Sequence, residues 1–280
     1  MKMNSNFLSG MFILMLTMLL SACGDDEVKV NDELVIVDKT TGAFYSVNPE
    51  DGTMTMSDKV FTYTSGDTLK SVRSIVLDKS NNQFYGTTTT NPTDGLIFKA
   101  NSSDLKVSVI NSNSENAWDA MASILLNGSD LLAVGYFNSP FSTQSIVKMG
   151  KDGIVNDTIP FTNGDPCCGI GVSFGDTNNE LWIGDYDAII HVSNLNGEIS
   201  ESINMSLVGF TGIDESEFTL MSMVKYNDTM YGIGYSFISK LQYFVEIDMA
   251  TNEILYISNL TESAGSPKYL ALSAVPENIF

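Results

Sequence analysis

The sequence predicts an all-β fold, a five-bladed β-propeller of four-stranded antiparallel blades, on three observations. An apolar stretch with one central serine recurs at Ser74, Ser123, Ser173, Ser222 and Ser273, at intervals of 49, 50, 49 and 51 residues. A second ladder in the same phase ends a following apolar stretch at Gly86, Gly135, Gly184 and Gly234. The chain also enters this pattern at a second strand and leaves it on an unpaired first strand, so its two ends complete one blade.

Each strand of the repeat has its own signature. The first carries the serine. The second reads Gln83-Phe84-Tyr85-Gly86, Leu132-Ala133-Val134-Gly135, Leu181-Trp182-Ile183-Gly184 and Tyr231-Gly232-Ile233-Gly234, with Leu34 to Val37 as the fifth copy. The third alternates apolar, polar, apolar in Tyr45-Ser46-Val47, Phe98-Lys99-Ala100, Val147-Lys148-Met149, Ile190-His191-Val192 and Val245-Glu246-Ile247, the period of a strand. Turns such as Pro49-Glu50-Asp51-Gly52 and Lys151-Asp152-Gly153 lead to a fourth strand, for example Lys106 to Ile110 or Ile254 to Ile257. Four antiparallel strands make one blade. Pairing the strands near Glu33 with Tyr269 to Val275 closes the ring and hides the edges an open array would expose. The propeller is assigned to residues 33–276, with 277–280 as a tail.

The 280 residues carry a formal charge of −20, and Arg73 is the one arginine. That balance excludes nucleic acid as a partner, because phosphate binding relies on Lys and Arg. Residues 1–22 read as an export signal: Lys2 precedes an apolar run from Phe7 to Leu20 that is too short to span a bilayer. Leu20-Ser21-Ala22-Cys23 resembles a bacterial lipobox, which implies lipidation of Cys23, with diacylglycerol and a further acyl chain, and a membrane partner through that anchor. Residues 23–32 form an acidic tether; Asp25, Asp26 and Glu27 directly after the cysteine resemble the surface-export signal of Bacteroidetes lipoproteins. These resemblances place the chain at the cell envelope, on the outer membrane, facing either the surface or the periplasm. The strand pattern as a whole resembles bacterial propeller repeats of the lactonase-like and YncE-like kind, and this implies the fold alone.

The first strand of a propeller blade lines the central channel, so the five serines are read as a small polar ring there. The loops after the second and fourth strands crowd one face, where sites usually form. Trp118, Asp119, Tyr136, Asp185, Tyr186, Glu217 and Tyr235 are the candidates for a ligand-binding face. A Ser-His-Asp device would need His191, the only histidine. Ser46, Lys99, Lys148 and Glu246 fill its slot in the other blades, so the repeat marks that slot as generic surface or space between blades. Cys167 and Cys168 either close a vicinal disulfide, against the short spacing of adjacent Cα atoms, or remain a buried thiol pair. No metal motif occurs and no cofactor is implied; adventitious calcium on loop carboxylates stays open. The leading expectation is a non-catalytic, ligand- or protein-binding envelope domain, not an enzyme, a glycan being one ligand. Its alternative is a hydrolase, glycosidase-like or lactonase-like, using loop carboxylates at the channel mouth.

Overall fold

A computed structural model describes residues 31–280 except 89–95, 113–117, 138–143, 165, 167–170, 262–264, 278 and 280. The leader, Cys23, most of the tether and the pair Cys167–Cys168 therefore lie outside the described residues. Among those residues no helix is long and apolar enough to cross a membrane.

Five sheets, each built on four antiparallel strands, follow one another around a ring. The first blade is composite: β1 (Asp32–Asp38), β2 (Ala43–Val47) and β3 (Met54–Val60) are joined on the inner side by β22 (Tyr269–Pro276), the last strand. Val35 lies opposite Ser273 and Asp32 opposite Pro276, so the first and last strands described are hydrogen-bonded together. After β4 (Thr62–Tyr63), the second blade is built from β5 (Val72–Asp78), β6 (Gln83–Thr88), β7 (Leu96–Asn101) and β8 (Lys106–Ser112). The third comprises β9 (Trp118–Asn127), β10 (Asp130–Phe137), β11 (Gln144–Gly150) and β12 (Val155–Pro160). The fourth comprises β13 (Val172–Phe174), β14 (Glu180–Gly184), β15 (Ile189–Asn194) and β16 (Ile199–Asn204). After β17 (Ser206–Val208), the fifth holds β18 (Phe218–Tyr226), β19 (Thr229–Ser236), β20 (Gln242–Asp248) and β21 (Glu253–Asn259).

Each blade is covered on both faces, which explains why its strands read as nearly continuous apolar runs. In β1, Val35 and Val37 join the apolar layer shared with the second blade, whereas Leu34 and Ile36 join the layer shared with the fifth. The core is thus five layers between blades, not one centre. In the first layer Phe61 packs edge-on against Phe44, Phe98 and Phe84 at 4.9, 5.2 and 5.5 Å between ring centroids. The glycine ladder serves these layers. At Gly234 a Cβ would lie 2.1 Å from Phe218 Cζ, and at Gly86 2.4 Å from Phe98 Cζ, so the absent side chain is filled by a ring.

Two blades have five strands instead of the expected four. The connection leaving one blade runs parallel along the outermost strand of the next: β4 pairs with β8, and β17 with β21. A single parallel bridge between Thr162 and Glu198 repeats the device at the fourth blade. These segments are too short to carry a hydrophobic period, so sequence patterning passes over them. A second irregularity recurs on the inner strands. Register shifts leave Arg73, Ala122 and Met221 as the extra residue of a bulge, each immediately before a ring serine.

Candidate functional site

The structure brings all five ladder serines together. They line one cavity of about 340 Å³ that continues past Val76, Leu126, Asp176 and Lys225. Their main role is visible in two contacts: Ser74 Oγ accepts the Ile124 N–H at 3.1 Å, and Ser222 Oγ accepts the Leu272 N–H at 3.2 Å. Each of these two hydroxyls thus satisfies a backbone donor on the neighbouring inner strand, whose channel-facing edge has no further strand to pair with. The cavity deepens toward the C-terminal ends of the inner strands, the side of the tight turns, where Lys225 Nζ stands 3.8 Å from Asp176 Oδ1.

The opposite face carries the longer connections between second and third strands and between fourth and first strands. Of the seven candidate residues assigned to it, Trp118, Asp119 and Tyr136 lie in β9 and β10 with side chains outside the described residues. Glu217 is buried and already engaged: it closes a capping box on the short 3-10 turn Glu215–Glu217, its Oε1 accepting the Asp214 N–H at 3.2 Å. Tyr235 donates its hydroxyl to the Gly265 carbonyl at 3.1 Å, and burial raises its pKa. Its ring meets Phe237 edge-on at 5.3 Å, and Phe237 in turn lies 4.9 Å from Tyr186, giving a small aromatic surface.

Asp185 is the carboxylate that this face organises. The turn between β14 and β15 folds its side chain back over the blade. Its Oδ1 accepts the Tyr186 N–H at 2.6 Å and its Oδ2 meets His191 Nε2 at 3.0 Å. On the other side of the ring, His191 Nδ1 lies 2.8 Å from the hydroxyl of Ser202, across the β15–β16 ladder. An ionised carboxylate only accepts, so the geometry places the imidazole proton on Nε2 and leaves Nδ1 to accept from Ser202. Asp185 and His191 are buried while Ser202 is exposed. The slot that the repeat marks as generic is therefore different in this blade: Ser46, Lys99, Lys148 and Glu246 keep partial exposure, and His191 is enclosed between an acid and a hydroxyl.

One further residue of this region is absent from the sequence-based candidates. The bulge in β5 turns Arg73 out of the ladder on the loop-rich side of the serine ring. Desolvation lowers the pKa of its guanidinium to about 10, opposed in part by Tyr186, so it stays charged at neutral pH. Its Nε is buried without an acceptor, and no carboxylate forms an ion pair with it among the described residues. Among those residues no group of three His, Cys, Asp or Glu side chains is placed to hold a metal ion.

No family model matches the chain, and no curated protein does. Solved structures share the fold at very low identity. A β-1,3-galactosidase of glycoside hydrolase family 43 is similar over 79% of this chain and 88% of its own, at 8% identity and a TM-score of 0.52. A 6-phosphogluconolactonase candidate from Bacteroides uniformis covers 88% of this chain and 100% of its own, at 9% identity and a TM-score of 0.47. The periplasmic gluconolactonase of Pseudomonas aeruginosa covers 84% of each, at 9% identity and a TM-score of 0.45. The expectation that the chain is not an enzyme is corrected by these comparisons: all three of these structures carry the names of hydrolases, so the fold lends no support to an absence of catalysis.

Proposed function

We propose that this protein is a hydrolase of the acyl-transfer kind, acting on an ester or lactone at the outer corner of the fourth blade. The observation that carries the reading is the relay from Asp185 through His191 to Ser202, with contacts of 3.0 and 2.8 Å. Ser202 is the exposed nucleophile, His191 Nδ1 takes its proton as the oxygen attacks the carbonyl carbon, and Asp185 holds the ring and supports its positive charge. The proton then passes to the leaving oxygen, and water releases the acid by the reverse steps. A glycosidase reading is weaker, since that chemistry needs two available carboxyl groups about 5–10 Å apart. Asp185 and Glu217 are both committed to other partners. The lipobox at Cys23 supports placing this activity at the bacterial cell envelope, held by a lipid anchor on the outer membrane.

Turnover of short 4-nitrophenyl esters and of γ- and δ-lactones tests the reading. The wild-type chain should release product, and Ser202→Ala and His191→Ala should each lower kcat at least about a hundredfold. A fluorophosphonate probe should label Ser202. Wild-type protein inert toward every ester and lactone, or full activity in Ser202→Ala, would falsify it.

A further inference from the structure

A donor removed from water is normally paired, because an unsatisfied buried polar group is costly. The Nε of Arg73 breaks that rule: it is buried without an acceptor among the described residues, in a side chain that is otherwise half-buried, although the chain carries 34 acidic residues. The position is also singular within the repeat. The corresponding bulge holds Ala122 in the third blade and Met221 in the fifth, so the backbone there does not require a cation. Bulges re-aim side chains, and this one delivers a guanidinium to the loop-rich side of the serine ring, next to the aromatic surface of Tyr186 and Phe237.

We propose that Arg73 anchors an anion-recognition site at the loop-rich mouth of the channel, built for one carboxylate or phosphate group on a ligand whose apolar face lies against Tyr186 and Phe237. The planar fork of the guanidinium matches either oxyanion with two parallel hydrogen bonds, and an aromatic surface beside it suits the ring face of an anionic sugar. The net charge of −20 sets the selectivity in a particular way: anions are repelled from the surface generally, so an anion gains only where a cation such as Arg73 faces it directly. The inference is independent of the Ser202 relay, because binding is read without turnover.

Calorimetric titration with D-glucuronate, inorganic phosphate and neutral D-glucose tests it on the full chain. Glucuronate or phosphate should bind and glucose should not, and the arm that responds identifies the oxyanion. Arg73→Met, which installs the side chain of the equivalent position in the fifth blade, should weaken anion binding by about tenfold to a hundredfold. Arg73→Gln should do the same, and Arg73→Lys should favour phosphate over carboxylate because it keeps the charge without the fork. In buffer free of anionic ligand, Arg73→Met and Arg73→Gln should be at least as resistant to urea as the wild type, since they remove an unpartnered charge. The proposal is overturned if the wild type binds neither anion at about 10 mM, roughly the weakest affinity worth calling recognition, or if the variants bind as well as it does. A loss of stability in both variants would also overturn it, by revealing a structural ion pair.

Discussion

Adding one methyl group at Gly234 tests the idea that the glycine ladder exists to seat rings between blades. The new Cβ would lie 2.1 Å from Phe218 Cζ and 2.7 Å from Cε2, whereas ordinary contacts begin at 3.4 Å, so the ring must retreat by more than 1 Å. It has little room to do so: Phe218 has no exposed surface and packs against Phe210 at 5.3 Å and Tyr243 at 6.2 Å. Overpacking of this kind costs about 3 kcal/mol. In a domain of this size that corresponds to a fall in Tm of about 6–12 °C. Urea unfolding followed by tryptophan fluorescence is the assay, because Trp182 lies in the same apolar layer. Gly234→Ala should shift the midpoint without changing the slope. Phe218→Leu removes the ring atoms that clash, so in the double variant the two losses should fall short of their sum by about 1–2 kcal/mol. A Gly234→Ala protein within about 0.5 kcal/mol of wild type, or strictly additive losses, would refute the reasoning.

Ser222→Ala should cost about 1–2 kcal/mol in the same unfolding assay, because it strands the buried Leu272 N–H. Deleting residues 269–280 removes the inner strand of the closing blade, so size-exclusion chromatography should show the peak of the folded protein replaced by aggregates and unfolding should lose its cooperativity. Asp78 offers a pH test: burial works against its ionised form, but hydrogen bonds from Lys151 and Ser80 outweigh that effect and hold its pKa below the usual value. A depressed folded pKa means that the ionised group contributes its stability above the unfolded value of about 4, and that this contribution is lost as pH falls through the folded value. Urea midpoints measured from pH 5 downward should therefore drop more steeply for wild type than for Asp78→Asn, and equal slopes would remove Asp78 from the account.

Ring, blade count and closure were legible because they rest on features that repeat: a serine every 50 residues or so, a glycine in phase with it, and a phase offset between the two chain ends. What repeats leaves a signal against its own background. The site is the reverse case. Asp185, Tyr186 and Tyr235 could be picked out as polar or aromatic residues near the loop-rich face, but the repeat argued against His191, and Ser202 sits in a strand whose period says nothing unusual. Only the register of β15 against β16, set by a bulge between Val192 and Ser193, brings that hydroxyl to the imidazole. Arg73 shows the same limit. Being the one arginine in the chain was a visible signal, yet its meaning came from a one-residue irregularity in the β5 ladder that no composition or spacing encodes.

The parallel segments that run along the rims have a consequence for how this molecule meets others. A propeller ring conceals its inner edges, and each outermost strand still offers a row of hydrogen-bonding groups to any passing extended chain. Here β4 occupies that row on the second blade, β17 on the fifth and the Thr162 bridge on the fourth. Among the described residues this leaves β3 and β12 as the open rims. β3 carries Asp58 and Lys59, and β12 carries Asp157 and ends at Pro160. Those residue types discourage indiscriminate pairing. Any partner that recruits this protein by adding a strand has two docking directions available, and it must satisfy a charged edge in either one.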